Sequence, residues 1–364
     1  MQRRSFIKKS SLTTLGITVL GAIQWNFKRV LRGGMLNVNA QRIEDRISGM
    51  AQFGRNDKGH GYRMAFTQGD VEGHAWFVDL MKKAGLETTI DQAGNIIGKR
   101  KGKKPSLKPI AFGSHIDMVP DGGNYDGTLG SLAALEVIEV LNENRVVTDH
   151  PLEVIIFADE EGSMIGSKAL SSEITSEILQ QKSHAGLTIS EGVKALGGDP
   201  DAIQNARRKR GDIHAFLELH IEQGGVLEKE GLQIGIVEGI VGIEHWEVTV
   251  EGFANHAGTT PMIIAVNEVI RGTEGSQVGT IGKINAYPGA YNVIPGKVTL
   301  GLEMRDLSSE KIERLFAEIE KRATAIADET STKISFVRQP SVAKPALTDK
   351  GLQQIIHASS KALG

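Results

Sequence analysis

The sequence predicts an α/β domain, with helices on both sides of a mixed sheet, interrupted by an inserted α+β domain of ferredoxin-like βαββαβ order. Three observations carry this. Helical and strand patterns alternate from residue 41 onward. The strand part of PLEVIIFADEEG (151–162) is apolar throughout, as a strand covered on both faces must be. From Ile243 the texture changes to longer alternating strands around one long amphipathic helix.

The runs RIEDRISGMAQFGR (42–55) and DVEGHAWFVDLMKKAGL (70–86) carry apolar residues at helical spacing, and Gly85 stops the second. Strands follow at ETTIDQ (87–92), NIIGKR (95–100) and PIAFGSH (109–115), then a helix at LGSLAALEVIEVLNEN (129–144). In sheets of this kind ligands gather beyond the carboxyl ends of strands, where AFGSHID and IIFADEEG deliver their polar residues. In the second domain IEHWEVTVEGFA is a strand and IIAVNEVIRG a short helix. QVGTIGKINAYPG and KVTLGLEMRD are strands, SSEKIERLFAEIEKRATAIADET is the long helix, and KISFVRQ is the closing strand. The helical tail LTDKGLQQIIHASSKALG is expected to return to the first domain. The expected boundaries are 41–242 for the first part of the α/β domain, 243–343 for the insertion and 344–364 for the return. No internal repeat or low-complexity segment interrupts this plan.

A chain of 364 residues with 40% apolar content can bury a core in each of two domains. A formal charge of -2 and a pI near 6.6 offer no basic field for nucleic acid. The densest basic run, NARRKRGD (205–212), reads as a solvated helix end or loop. Residues 1–40 open with MQRRSFIKKSSLTTLGITVLGAI, paired arginines before a mildly apolar stretch, the pattern of a twin-arginine export signal. The apolar part is too short and too rich in Thr and Gly for a stable membrane span. The expectation is a periplasmic protein, or a cytoplasmic one if the signal is unused. Cysteine is absent, so a metal site must be built from His, Asp and Glu.

The stretch AFGSHIDMVPDGGNYDG (111–127) sets one histidine and three aspartates among glycines and a proline. His115 and Asp117 form His-x-Asp at a strand end, where a carboxylate can hold the second ring nitrogen of a liganding histidine. Asp126 follows across a loop whose glycines let the backbone turn tightly. Glu160 and Glu161 end an apolar strand, where neighbours point to opposite sides, so one can meet metal and the other substrate. His220, in FLELHIEQG, adds a second imidazole beside Glu222 and Gln223. Singly, His-x-Asp reads as a hydrogen-bonded pair and Glu-Glu as surface charge. Together, two histidines and three carboxylates suit a pair of divalent ions about 3.5–4 Å apart bridged by a shared Asp.

These motifs resemble the successive signatures of dinuclear amidohydrolases in the metallopeptidase superfamily that includes aminoacylases and carboxypeptidases. The residues concerned are GSHIDMVPDGGNYDG (113–127), FADEEG (157–162), ELHIEQGGVLE (218–228), EGFANHAGTTPM (251–262) and NVIPGKVTLGLEMRD (292–306). HIEQG followed by HAGTTPM is similar to the branch of N-carbamoyl-L-amino-acid hydrolases, β-ureidopropionases and allantoate amidohydrolases. The resemblance runs from residue 41 to the end. It implies a metallopeptidase-like catalytic domain, with the insertion serving as a lid and homodimerisation domain. It further implies His115, Asp126 (bridging), Glu161 and His220 as ligands of two divalent ions, Zn, Mn, Co or Ni, with Asp117 supporting His115. Glu160 is implied as general base, and His256 as the group that stabilises the oxyanion, reaching in from the partner subunit. Asn292 and Arg305 are implied to hold a substrate carboxylate, and Gln223 to contact the ureido or amide end. The expected substrates are small carboxylate-bearing molecules with a linear amide or ureido C-N bond. N-carbamoyl-L-amino acids come first, allantoate second, and aminoacylase or peptidase substrates third. A non-catalytic periplasmic metal- or ligand-binding protein is the rival from another class.

Without the resemblance, Arg305 reads as an exposed strand residue pairing with Glu303, and His256 as a turn-forming residue. His60, His74, His150, His184, His214, His245 and His357 match no motif. Two departures from the family pattern stand out. The helix after Met262 is shorter by about four turns, which bears on dimerisation and on the placement of His256. The further histidine ligand that the family pattern implies falls past Gly364, so the expectation is a piece of a longer gene product whose turnover as this chain is weak or absent.

Overall fold

The computed structural model describes residues 36–252, 259–289, 295–339 and 343–363. The chain divides after Gln223 into two compact units. The export-signal pattern lies almost wholly outside the described residues. No helix of the described residues is long and apolar enough to cross a membrane.

The first unit opens with α1 (Ala40–Met50), whose N-cap Asn39 accepts from the Arg42 amide, and α2 (Gln68–Lys83). Five strands then form one mixed sheet: β1 (Glu87–Ile90), β2 (Ile96–Arg100), β3 (Ile110–His115), β4 (Leu152–Phe157) and β5 (Ala215–Leu217). Their order is β1-β2-β4-β3-β5; β3 runs parallel to β4 and β5, and β1-β2 and β2-β4 are antiparallel. Between β3 and β4 lies α3 (Thr128–Glu143). After β4 come α4 (Ile165–Ser171), α5 (Ser176–Gln180), α6 (Ile189–Ala195) and a 3-10 segment, Pro200–Ala206.

Alternation along β4 shows why that strand is apolar throughout. Leu152, Val154 and Ile156 pack into one core with Met50 of α1, Phe77 and Met81 of α2, and Leu132, Leu135 and Ile138 of α3. Ile155 points the other way, into a second core with Ile165 and Ala169 of α4, Val193 of α6 and Ile203. Both faces are covered by helices, as the uninterrupted apolar run requires. The arginine-rich stretch after the 3-10 segment is loop, with Arg208 paired to Glu153 at 3.1 Å.

The second unit begins with the short α7 (Val226–Glu230) and β6 (Gly239–Ile240). Then come β7 (Gly242–Glu251), α8 (Thr259–Gly272), β8 (Val278–Tyr287), β9 (Lys297–Asp306), α9 (Ser309–Thr330) and β10 (Lys333–Arg338). The four long strands pair antiparallel in the order β10-β7-β9-β8, which is the ferredoxin-like arrangement of a βαββαβ chain. One face of this sheet, carrying Trp246, Val248, Leu300 and Leu302, packs against Val266 and Val269 of α8 and Leu315 and Ile319 of α9. The end of the chain forms β11 (Ala346–Leu347), paired to β6, and α10 (Lys350–Leu363).

Candidate metal centre

The site is assembled at the carboxyl ends of β3 and β4. His115, the last residue of β3, is 3% exposed, and its Nδ1 lies 3.1 Å from the Asp117 carbonyl and 3.4 Å from Asp117 Oδ1. That fixes Nε2 as the outward nitrogen, 3.4 Å from Glu160 Oε2 and 3.9 Å from Asp126 Oδ1. Burial would push the ring's pKa down, but the hydrogen bond and charge of Asp117, then Glu160, outweigh it and hold it up at about 9. Gly127, at φ +59, caps α3 against the imidazole face: a Cβ there would stand 2.4 Å from the ring.

Asp117 is 1% exposed and accepts from two successive amides, Glu160 N at 3.3 Å and Glu161 N at 3.0 Å. It therefore ties the β3 end to the turn that carries both glutamates. This corrects the strand-alternation argument made from sequence. β4 stops at Phe157, and Glu160 and Glu161 lie on a turn entered through Asp159 in the left-handed region, φ 51. Asp159 is buried, accepts from the Ser163 amide at 3.1 Å and from its hydroxyl, and is pushed up to about 6, chiefly by burial. Gly162 leaves room for that carboxylate.

Burial also raises the Glu160 carboxyl above its ordinary value against the pull of His115, with Asp117, Glu218 and Asp126 adding to the rise. Glu161 is pushed up to about 7, first by burial and then by Asp126.

The third strand end is β5. Ser114 Oγ donates to Glu218 Oε1 at 2.5 Å, and Gly130 lets α3 pass the Leu219 carbonyl, which a Cβ would meet at 2.2 Å. The segment so held presents His220, whose Nδ1 lies 2.7 Å from the Ile221 carbonyl and whose Nε2 lies 3.2 Å from Asp126 Oδ1. His115, Asp126 and His220 each offer one ligand atom, all within 4.8 Å of one another. Asp126 Oδ1 is buried and has no hydrogen-bond partner, while Oδ2 accepts from the Gln223 amide. An orphaned carboxylate oxygen between two imidazoles is a donor set that fits a divalent cation.

Residues 111–364 match peptidase family M20/M25/M40. The chain belongs to this family. Among relatives of this M20 member, the N-carbamoyl-L-amino acid amidohydrolase of Geobacillus stearothermophilus is 38% identical over 345 residues, covering 90% of this chain and 84% of that protein. The allantoate amidohydrolase of Escherichia coli (strain K12) is 34% identical over 309 residues, covering 79% and 74%. A solved hydantoinase/carbamoylase family amidase from Burkholderia ambifaria superposes with a TM-score of 0.83 at 27% identity, covering 91% of this chain and 85% of that one. This M20 enzyme is accordingly a metal-dependent amidohydrolase, with the mixed-sheet fold of the carbamoylases.

Of the residues expected at the M20 site, the structure brings together His115, Asp117, Asp126, Glu160 and His220. Glu161 stands outside the close trio, near enough for the charge of Asp126 to raise its carboxyl pKa beyond what burial does. Gln223, expected at the substrate, is engaged with Asp126. In the second unit, Arg305 donates to Glu303 at 2.6 Å, the pairing that the strand pattern alone suggested, and His245 meets the same carboxylate at 2.8 Å. His256 and Asn292 lie outside the described residues. His74, assigned nothing from sequence, is buried against Asp70, with Nδ1 3.2 Å from its carboxylate. Sequence reasoning missed Ser114 and Glu218, whose only signal was a polar residue beside each strand-end histidine motif.

Proposed function

We propose that this enzyme hydrolyses the ureido C-N bond of N-carbamoyl-L-amino acids, releasing the amino acid, carbon dioxide and ammonia. The observation that carries the reading is the unpartnered Asp126 oxygen between His115 and His220, with Glu160 beside His115. The Geobacillus stearothermophilus relative supports the substrate class, and the Escherichia coli relative makes allantoate the second substrate to test.

His115, Asp126, His220 and Glu161 would hold two divalent ions, Zn, Mn, Co or Ni, with Asp126 shared between them. When bound, such ions polarise a carbonyl and bring water's pKa toward neutrality. Asp117 keeps Nδ1 of His115 engaged so that Nε2 faces the site. Glu160 takes a proton from the attacking water and delivers it to the departing nitrogen; burial raises its pKa, which makes it a better proton acceptor than an exposed carboxylate. Roles for His256 at the oxyanion, for Asn292 and Arg305 at the substrate carboxylate and for Gln223 at the ureido end belong to the same proposal, supported by the resemblance alone. So do the lid and dimer roles of residues 243–343, the return of 344–364 to the catalytic domain, and export through a twin-arginine signal.

The test is E160Q, assayed for ammonia release from N-carbamoyl-L-amino acids and allantoate with added Mn. Any turnover of the parent chain should fall by at least ~100-fold, as removal of a general base does, while bound metal stays unchanged. Equal turnover in E160Q would remove Glu160 from the chemistry.

A further inference from the structure

Among the buried charged side chains that the mechanism leaves unused, Arg63 lies nearest to the metal-bearing segments. Arg63 is 1% exposed, and its guanidinium bonds three separate segments of the first unit. Nε donates to the Ile116 carbonyl at 2.6 Å, Nη1 to the carbonyls of Met50 at 3.1 Å and Phe53 at 3.2 Å, and Nη2 to Thr128 Oγ1 at 3.3 Å. Its own carbonyl accepts from the Met118 amide at 3.0 Å. Main chain and side chain thus bracket Asp117, gripping the residue before it and the residue after it. Thr128 is the first residue of α3, directly after Asp126 and Gly127. The fold makes room for this: Gly73 would set a Cβ 3.1 Å from Arg63 Cδ, and a Cβ at Gly54, which sits at φ +62, would meet Arg63 Cα at 2.7 Å.

A buried guanidinium costs desolvation that an apolar residue of similar volume would not, so stability alone is a weak reason for it. Its fork can satisfy fixed acceptors on several segments at once, which a point charge on a flexible stem cannot. We propose that Arg63 is a positioning residue for the metal centre, holding the His115–Asp117 strand end and the Asp126-bearing start of α3 in register. The proposal rests on the metal-centre reading above. It deepens that reading by naming what sets the spacing between the ligands supplied by β3 and the ligand supplied by the loop before α3.

The test compares Mn affinity of the full chain as parent, R63K, T128V and I138V, with thermal unfolding measured on each. T128V cuts only the link to α3, and I138V weakens the core packing of α3 itself while leaving every hydrogen bond of Arg63 in place. R63K is expected to lose ~10- to 100-fold in affinity, the range seen when groups that orient ligands are removed. T128V should lose several-fold, and I138V should bind as the parent does despite its lower Tm. Should R63K fail to fold, T128V against I138V decides. Parent-like affinity in R63K and T128V, or a loss in I138V that tracks Tm equally, overturns the role of Arg63. A parent chain that binds no Mn would instead sink the metal-centre reading, and the proposal with it.

Discussion

Replacing Gly127 by alanine probes the packing that aims His115. Alanine at φ +59, ψ -46, outside the left-handed helical region, costs about 1–3 kcal/mol in backbone strain. The added methyl would lie 2.4 Å from Cε1 and 2.5 Å from both ring nitrogens of His115, against 3.4 Å for an ordinary contact, so the ring must retreat by about 1 Å. The ring is buried and held at Nδ1, so that retreat strains a packed site at about 1–3 kcal/mol. The summed loss of about 2–6 kcal/mol is read by urea unfolding of the metal-free protein. Metal ligands tolerate only about 0.2 Å of displacement, so Mn affinity should fall at least ~10-fold. Gly59 is the control: it sits at φ +78 with nothing within 4 Å of its would-be Cβ, so G59A should cost only the backbone strain and leave metal binding alone. G127A that loses no more stability than G59A and binds Mn like the parent would refute this reasoning.

Glu136 on α3 is buried and chelated by Arg42 of α1, with Nε 2.6 Å and Nη2 2.8 Å from its two oxygens and the Asn39 amide at 2.8 Å. Burial alone would raise its pKa, but Arg42, the Asn39 amide and Arg46 together hold it below the ordinary carboxylate range. A depressed carboxylate contributes stability that is present above its unfolded pKa, about 4.3, and lost as pH falls through the folded value. E136Q should therefore be less stable than the parent by about 1.5–3 kcal/mol at pH 7, with the gap closing below about pH 4; a gap independent of pH in urea titrations would contradict the assignment. R305M should raise KM for carboxylate-bearing ureido substrates with little change in kcat and none in metal content, the signature of lost ground-state binding. An unchanged KM would leave Arg305 as only the partner of Glu303.

The sheet, its helices and the βαββαβ unit were legible because their signals are local. β4 reads as apolar on both faces, and α9 as a long amphipathic repeat that ends at the left-handed Ser331. The site was legible as residue types gathered at strand ends. Its geometry was less so, because periodicity carries no information once a strand has ended. The turn through Asp159 decides where Glu160 and Glu161 sit, and nothing in IIFADEEG marks Phe157 as the end of β4. The contacts of Arg63 and the Ser114–Glu218 bond join residues far apart in sequence, and a single arginine in GYRMAFT gives no sign that it is buried. Gln223 shows a further limit: the resemblance implied a contact with the ureido or amide end of a substrate, and its bond to Asp126 could be read only from the fold.

The central claim is that His115, Asp126 and His220 form a divalent metal centre. The most direct measurement is Mn and Zn binding to the full chain by calorimetry, parent against D126N. The account predicts metal bound by the parent and affinity lower by at least ~10-fold in D126N, with the fold retained. Equal binding by the two proteins, or no binding by the parent, would contradict it.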